Sequence, residues 1–445
     1  MMKERFFIST TGAGVLRRAF GARRMLLALA MLLPAAGTLH AQTPEVGPEL
    51  RVYDAIEMAL ANSPFLNRKR RQVDMRQGER WSAFGIHEPE ITYFREGIPT
   101  GGNGGFTEQR WGFSQTIDFP LRSYYRVRRI DTEREARTLE VEDAVRTVRA
   151  AVKQAYTDLV YSLELVRLRR EEVGLMEDLI RAVRTRMEVG EAAEIDLMKA
   201  EIEQAEAQNN LAEAEKVLHT ARYVLFRVIG LDPDEQSYEI RFPDTLRFFP
   251  VEIDQASVLA RLKAQPALLA ADRDLAAARV RLKEEKSALL PRINFQYYPQ
   301  DFGRGYRNYG FQVGLSLPLW LPFNHRGRME TARAREQDQV WRRQGVLLRM
   351  KNEIEQAWHN YDTSLHTIRR YQQVVRRRSA ELMQRTREGY RLGELDLLTL
   401  LDTQRTYLNS QKRYYDVLHE YYRNLIELER FTGEDIVYNP EYMSK

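Results

Sequence analysis

The chain has 445 residues, with 68 Lys and Arg against 63 Asp and Glu, and it contains no cysteine. The lack of cysteine excludes a disulfide framework, a thiolate metal site and a lipid anchor on cysteine. The net charge of +5 belongs to residues 1–41, which hold six basic residues and one acidic residue, so the rest of the chain is formally neutral and gives no argument for nucleic-acid binding.

Residues 1–41 have the layout of a signal peptide. Basic residues precede an apolar run at residues 26–36, and small residues lead to Ala41, after which we expect cleavage. Met25 is an alternative start, although it would remove the basic region. The run is too short to span a bilayer, and no later stretch approaches the roughly 18 apolar residues of a membrane helix. These features predict an exported chain that is periplasmic, extracellular or an outer-membrane β-barrel.

The remaining chain contains an internal repeat. Pro64 and Pro266 are each followed by a proline 25 residues later, and Gly190 and Gly393 are each followed by a glycine 40 residues later. Because the copies keep an offset of 202 or 203 residues, they predict two structural repeats. The expected divisions are a first repeat at residues 42–230, a mid-height equatorial connection at 231–255, a second repeat at 256–433 and a C-terminal tail at 434–445.

Each repeat is predicted to contain a helix, a strand pair, a long helix and a return helix. The strand pairs follow from an alternation of apolar and small polar residues, and the helices from proline-free stretches rich in good helix formers. The first repeat has its strand pair at about 89–119, its long helix at about 121–187 and its return helix at about 191–230. The corresponding elements of the second repeat are expected at about 292–318, 326–390 and 394–433.

The predicted strands have one aromatic, apolar face and one small, polar face. This pattern is typical of barrel strands that separate lipid from a lumen, and the alternative is a half-buried sheet of a soluble protein. Four strands cannot close a barrel, for which about eight are needed, so a barrel requires oligomerisation. The residues expected to face lipid are Trp111, Phe113, Ile117, Phe311, Val313 and Leu315.

The predicted helices are too long for a globular domain. A helix over residues 121–187 is about 100 Å long at the usual rise per residue. Such helices do not fit in a globule of about 400 residues and favour a tube or a rod.

Five segments carry a resemblance to a known family. They are residues 54–64 (DAIEMALANSP), 112–120 (GFSQTIDFP), 190–208, 313–320 (VGLSLPLW) and 393–433. With them the chain resembles the TolC-like outer-membrane efflux protein family over nearly all of its mature length. The LERFTG sequence that ends at Gly433 resembles the heavy-metal exporter branch.

The resemblance implies a mainly α fold with a β-barrel part, in which three protomers each contribute four strands to one outer-membrane barrel and long helices to an α-barrel tunnel. It implies a passive exit duct of a tripartite efflux or type I secretion system, in the outer membrane and extending into the periplasm. The implied partners are a periplasmic adaptor (membrane fusion) protein, an inner-membrane transporter and outer-membrane lipid. The cargo stays open among metal ions, drugs and polypeptides.

The resemblance also places periplasmic tips at Gly190 and Gly393, where the adaptor docks and the channel closes. The candidate tip and adaptor contacts are Val189, Gly190, Glu191, Leu392, Gly393 and Glu394. The candidate gate residues are Glu194, Asp196, Arg391, Asp396 and Asp402. Their carboxylates fit helix N-terminal caps, and they also fit an acidic ring that favours cations. Arg391 is the candidate ion-pair partner of the closed state.

The sequence predicts no enzyme, metal site or cofactor. It shows no phosphate loop or nucleophile elbow, and no two histidines of the mature chain have the spacing of a helical metal site. Two alternatives are a periplasmic adaptor, which would carry additional small β-domains, and a secreted structural coiled coil, which would lack the aromatic strand pairs.

Overall fold

The computed structural model describes residues 49–98, 100–101, 105–232, 242–303, 305–316 and 321–439, and only the backbone at residues 321–324. The expected signal peptide lies outside the described residues. The same holds for residues 233–241 of the expected connection and for the last six residues of the expected tail.

The first repeat has two helices, a strand pair and two further helices. Its elements are α1 (Val52–Asn62), α2 (Pro64–Ser82), β1 (Glu90–Glu96), β2 (Glu108–Ile117), α3 (Pro120–Glu188) and α4 (Glu194–Ile229). Pro64 starts α2 at a position that needs no N–H donor, and Ser63 Oγ accepts a hydrogen bond from the Leu66 N–H at 3.4 Å. The 69 residues of α3 make a helix about 100 Å long.

The second repeat has the same order of elements. They are α5 (Gln255–Ala260), a 3₁₀ turn (Arg261–Ala264), α6 (Pro266–Ser287), β3 (Arg292–Asp301), β4 (Arg307–Ser316), α7 (Leu321–Arg370), a π-turn (Tyr371–Val375), α8 (Arg376–Arg391) and α9 (Leu397–Thr432). The long helix expected at 326–390 therefore starts earlier and is interrupted. In the π-turn the Arg376 N–H donates to the carbonyl of Tyr371, five residues back.

The return helices α4 and α9 have 36 residues each. Both end at a glycine in the left-handed region, Gly230 with φ 76° and Gly433 with φ 71°. A side chain at either position would be strained, so these glycines fix the ends of the two helices at equivalent places in the repeats.

The four strands form one antiparallel sheet in the order β1-β2-β3-β4. The pairing of β2 with β3 joins the two repeats, while β1 and β4 form the two edges. The sheet follows directly from two hairpins of matching register placed side by side.

The buried side chains form two clusters along the helices. The central core draws on α1, the middle of α3, the end of α4 and the C-terminal halves of α7 and α9, and it includes Tyr156, Tyr361, Tyr421 and Tyr422. The tip core lies between the ends of α3 and α8 and the starts of α4 and α9; its residues are Met176, Leu179, Ile180, Val183, Ala200, Ala207, Tyr390, Leu397 and Leu400.

The tyrosine hydroxyls of the central core hold the connection between the repeats. The Tyr421 hydroxyl donates to the carbonyl of Phe249 at 3.0 Å, and the Tyr422 hydroxyl donates to that of Arg247 at 2.8 Å. Buried hydroxyls need such partners, and here the partners are carbonyls of a segment with no helix or strand of its own. The described part of the expected equatorial connection is thereby fixed against the central core.

A buried lysine joins the middle of α3 to the segment after α9. Lys153 is 1% exposed, and its Nζ lies 2.5 Å from Glu429 Oε1, 2.5 Å from Asp435 Oδ1 and 2.8 Å from the carbonyl of Val437. Glu429 Oε2 also accepts from the Val437 N–H at 2.9 Å. The charge is buried only because each of its donors is satisfied.

Candidate functional site: the sheet and the two helical tips

The strand register gathers apolar side chains into rows on one face of the sheet. Ile91, Phe113, Tyr297 and Phe311 are paired in succession across all four strands. A shorter row consists of Ile117, Ile293 and Leu315, and another consists of Phe295 and Val313. Because directly paired residues share a face, the six residues expected to face lipid lie together on this one. Most of them are exposed, Phe311 at 67% and Leu315 at 62%.

The opposite face of the sheet is mainly small and polar. Glu90, Ser114, Gln296 and Gln312 form a row across the four strands. In the next row, Asn294 Nδ2 donates to Thr116 Oγ1 at 3.0 Å. This face carries hydrogen-bonding groups that suit contact with water.

The polar face departs from the expected pattern at one place. The guanidinium carbon of Arg110 lies 4.5 Å from the ring centroid of Phe94 and 5.8 Å from that of Tyr298. Gly310 is paired with Tyr298, and a Cβ on this glycine would lie 2.3 Å from the ring. The glycine thus gives room for an aromatic ring on the face that the period-two pattern predicted to be small and polar.

A buried carboxylate lies where β2 meets α3, and sequence reasoning missed it. Asp118 is 2% exposed, and its oxygens lie 2.8 Å from Arg126 Nη2, 3.2 Å from His87 Nε2 and 3.6 Å from Arg122 Nη1. The signal was the density of arginines just after Pro120. The cluster ties the sheet to the first turns of α3.

The first tip is the turn between α3 and α4. Gly190 has φ 80°, and the Glu191 N–H donates to the carbonyl of Arg186 at 2.8 Å, which closes the end of α3. Asp196 Oδ2 accepts from the Ala193 N–H at 3.4 Å in the first turn of α4. This turn is why α4 begins at Glu194 and not at the expected residue 191. Glu191 and Glu194 are exposed.

The second tip repeats this geometry between α8 and α9. Gly393 has φ 78°, and the Glu394 N–H donates to the carbonyl of Gly389 at 2.9 Å. Asp396 is the N-cap of α9, and its Oδ1 accepts from the Thr399 N–H at 2.9 Å. Hydrogen bonds from Thr399 hold the pKa of Asp396 below its ordinary value. Asp396 therefore caps a helix, whereas Asp402 is exposed along α9.

The two tips are joined by an arginine that sequence reasoning did not select. Arg186 Nη1 donates to the carbonyl of Tyr390 at 3.2 Å, and its guanidinium carbon lies 5.0 Å from the Tyr390 ring centroid. Nearby, Arg387 Nη2 donates to Asp178 Oδ2 at 3.0 Å. Arg391 is exposed and forms no ion pair with any residue that the structure describes. The sequence spacing favoured Arg391 because only the packing of α3 against α8 reveals Arg186.

Large apolar side chains are exposed at and beside both tips. Val189 is 67% exposed and Leu392 is 73% exposed, at equivalent positions before the two tip glycines. The other members of this surface are Ile195, Met198, Ile202 and Leu398. Exposed apolar side chains at a turn offer contact points to another protein.

The described part of the chain contains neither a candidate metal site nor a candidate membrane-spanning helix. Within those residues, no group of three or more His, Asp or Glu side chains is placed to hold a metal ion. No described helix is both long and apolar enough to cross a membrane.

Comparison with known proteins agrees with this geometry. A sequence model described as outer membrane efflux protein matches residues 55–231 and 260–434, which are most of the two repeats. The pyoverdine export outer membrane protein OpmQ of Pseudomonas aeruginosa is 26% identical over 281 residues, covering 60% of this chain and 56% of OpmQ. The chain therefore spans little more than half the length of that relative.

The cobalt-zinc-cadmium resistance protein CzcC of Cupriavidus metallidurans is 23% identical over 289 residues, covering 64% of this chain and 68% of CzcC. Among solved structures, the transmembrane channel protein CusC superposes with a TM-score of 0.72 at 16% identity, covering 86% of this chain and 92% of CusC. This likeness shows a shared fold of long helices with a barrel-forming sheet.

Proposed function

Because this chain belongs to the outer membrane efflux protein family, we propose that it is the exit duct of a tripartite efflux or type I secretion system. In this proposal three copies assemble in the outer membrane, and the duct conducts cargo passively without catalysing a reaction. Its partners are a periplasmic adaptor protein that contacts the tips and an inner-membrane transporter that drives the cargo.

The observation that carries the proposal is the two-faced sheet. One apolar row, from Ile91 to Phe311, runs across all four strands, and the polar rows lie on the other face. Lipid requires every backbone group of a spanning sheet to be paired, and the edges β1 and β4 leave one ladder open on each side. When copies join edge to edge, β4 of one copy pairs with β1 of the next, and no edge is left open. Three copies of four strands give a barrel of ordinary size.

The tips support the adaptor contact. Val189 and Leu392 lie beside turns whose glycines have left-handed backbones, so both side chains are held outward at fixed places. An exposed glutamate follows each of these apolar side chains by two residues, Glu191 after Val189 and Glu394 after Leu392. Interfaces commonly have such an apolar centre with a polar rim, and we propose these tips as the adaptor's docking points.

The contacts between α3 and α8 support a closed state. Arg186 and Arg387 hold the second tip against α3 within one protomer. The carboxylates of Glu194, Asp196, Asp396 and Asp402, repeated around a threefold axis, would repel one another. The guanidinium of Arg391, which forms no ion pair with a described residue, is available to a neighbouring copy. Each exposed pair contributes only about 0–1 kcal/mol, but repetition can bias an opening equilibrium.

Two similarities bear on the class of cargo. The similarity to a cobalt-zinc-cadmium resistance protein, together with the LERFTG sequence, favours metal ions, whereas the similarity to a pyoverdine export protein favours an organic chelator. A deletion strain separates these, because greater sensitivity to cobalt, zinc and cadmium indicates a metal cargo, whereas loss of a chelator from the culture medium indicates an organic cargo. Restored resistance on complementation is the control.

Assembly and conduction are tested directly on the purified protein. Membrane fractionation followed by native mass measurement in detergent should give an outer-membrane trimer, and planar bilayers should show discrete conductance steps. A soluble periplasmic monomer without conductance contradicts the proposal.

A further inference from the structure

The buried positions of the two long helices match at one offset in their first parts. Five buried residues of α3 have buried counterparts in α7 that lie 202 residues later in the chain. The pairs are Val152 and Ile354, Ala155 and Ala357, Leu159 and Tyr361, Ser162 and Ser364, and Val166 and Ile368. All ten side chains are at most 5% exposed. Up to Ile368 the two repeats therefore keep the same register.

Beyond the π-turn the offset is 203. Three buried residues of α3 have buried counterparts in α8, and the pairs are Met176 and Ser379, Ile180 and Met383, and Val183 and Thr386. The tip glycines Gly190 and Gly393 keep this second offset. The second repeat thus holds one residue more than the first, and the extra residue lies between 369 and 378.

The π-turn Tyr371–Val375 lies inside that interval. One extra residue in a regular α-helix would rotate everything beyond it by about 100°, because a turn holds 3.6 residues. Tyr390 would then leave the tip core, and Met383 would no longer be buried. A π-turn adds one residue to a single turn, as the Arg376 N–H bond to the Tyr371 carbonyl shows, so both buried faces keep their direction.

The π-turn also lies between the two cores. Tyr371 packs against the central core, and the next buried residue of this helix is Ser379, whose Oγ accepts from Ser410 Oγ at 2.6 Å. Between them, Gln372 and Gln373 are exposed, and Val374 is 55% exposed. At the same level the first repeat is crossed by unbroken α3, where Arg169 pairs with Glu172 at 2.6 Å. Bending is thus easier in the second repeat, since sharp bends in helices occur at π-turns.

We propose that the π-turn stores the extra residue of the second repeat and is the hinge about which α8 and the second tip move relative to the first. The inference rests on the proposed duct, because it assigns the opening motion to one of the two hairpins. The contacts that the motion would break are those of Arg186 with Tyr390 and of Arg387 with Asp178.

Deletion of Gln373 tests the hinge. The deletion turns the π-turn into an α-turn. The buried residues before and after it stay on the helix faces that pack into the two cores, so we expect normal assembly and an unchanged temperature at which the assembly dissociates. Deletion of Arg170, at the same level of α3, is the matched control. That helix has no π-turn to absorb the loss, so this deletion should rotate its end and abolish assembly.

Motion is measured between spin labels on Val189→Cys and Leu392→Cys, which the lack of native cysteine permits. In assemblies diluted with unlabelled chains, we expect the parent to show a short distance and a population of longer ones, and the Gln373 deletion to lose the longer ones. Equal distributions, a single short distance in the parent, or failed assembly of the Gln373 deletion would each overturn the hinge. Conductance of the parent in bilayers decides the duct separately.

Discussion

Arg186, near the end of α3, donates a hydrogen bond to the backbone carbonyl of Tyr390 at 3.2 Å, and its guanidinium stacks over the ring of the same residue. One side chain of the first repeat thus holds the last turn of α8 in the second. Because the acceptor is a backbone carbonyl, substitution of Tyr390 removes only the ring contact, whereas substitution of Arg186 removes both.

Arg186→Gln should therefore raise single-channel conductance or open probability in planar bilayers, since the glutamine is too short to reach the Tyr390 carbonyl. Arg184→Gln is the control, because Arg184 is exposed and pairs with Glu201 of α4 within the first repeat. Equal conductance of both variants and the parent would show that the contact does not hold the tips closed.

Lys153→Met should destabilise the protein by about 3–5 kcal/mol, because Glu429 would keep a buried charge without its partner. Burial raises the pKa of Glu429, and the charge of Lys153 opposes that rise. Lys412→Met removes a half-exposed lysine that pairs with Asp416 on the same helix, and should cost no more than about 1 kcal/mol. Denaturant unfolding followed by tryptophan fluorescence gives both values, and equal midpoints for the two variants would refute the buried role.

Phe311→Arg and Gln312→Arg place the same charge on opposite faces of β4. If the aromatic face contacts lipid, the first substitution should cost about 2–4 kcal/mol near the bilayer midplane and the second much less. Folding into vesicles at graded urea concentrations measures the difference. A similar cost on both faces would remove the assignment of lipid and lumen.

Asp396→Asn removes the charge of the side chain but keeps the helix cap, because asparagine also accepts a hydrogen bond from the Thr399 N–H. If the tip carboxylates act on passing ions, this variant should lose cation preference while keeping its stability, and Asp396→Ala should lose both. The hydrogen bonds of Thr399 lower the pKa of Asp396. Its stabilising effect is therefore complete above its ordinary pKa of about 4 and is lost only as the pH falls further. Reversal potentials of the parent and of Asp396→Asn between pH 7 and pH 3 should differ down to a lower pH than the ordinary pKa of an aspartate would give.

Much of the fold was predictable because it follows from local patterns. The prediction of a mainly helical, outer-membrane efflux protein with four strands is confirmed by the family match and the fold. Proline-free stretches of good helix formers favour helices through local propensity, and alternation such as that from Tyr309 to Leu315 indicates a strand face. Membership of this family also decides against a periplasmic adaptor or a structural coiled coil.

The missed features depend on how distant segments meet. Arg186 and Tyr390 are 204 residues apart, and nothing near Arg186 in the sequence marks its contact. Asp118 gathers basic residues from three separate segments. The change of offset from 202 to 203 was visible in the sequence, but its place within the helix became clear only from which side chains are buried. The tip, gate and lipid assignments remain proposals that the variants above test.

The buried lysine of α3 has a consequence for the order of folding. Lys153 enters the periplasm well before Glu429, which follows it by 276 residues, yet the lysine cannot be buried without that carboxylate. The middle of the long helix therefore cannot be buried until almost the whole second repeat has been exported. Long-range pairs of this kind slow folding and prolong the time during which apolar strands are unprotected. A chain cut short before Glu429 would leave the charge of Lys153 without its partner in the central core.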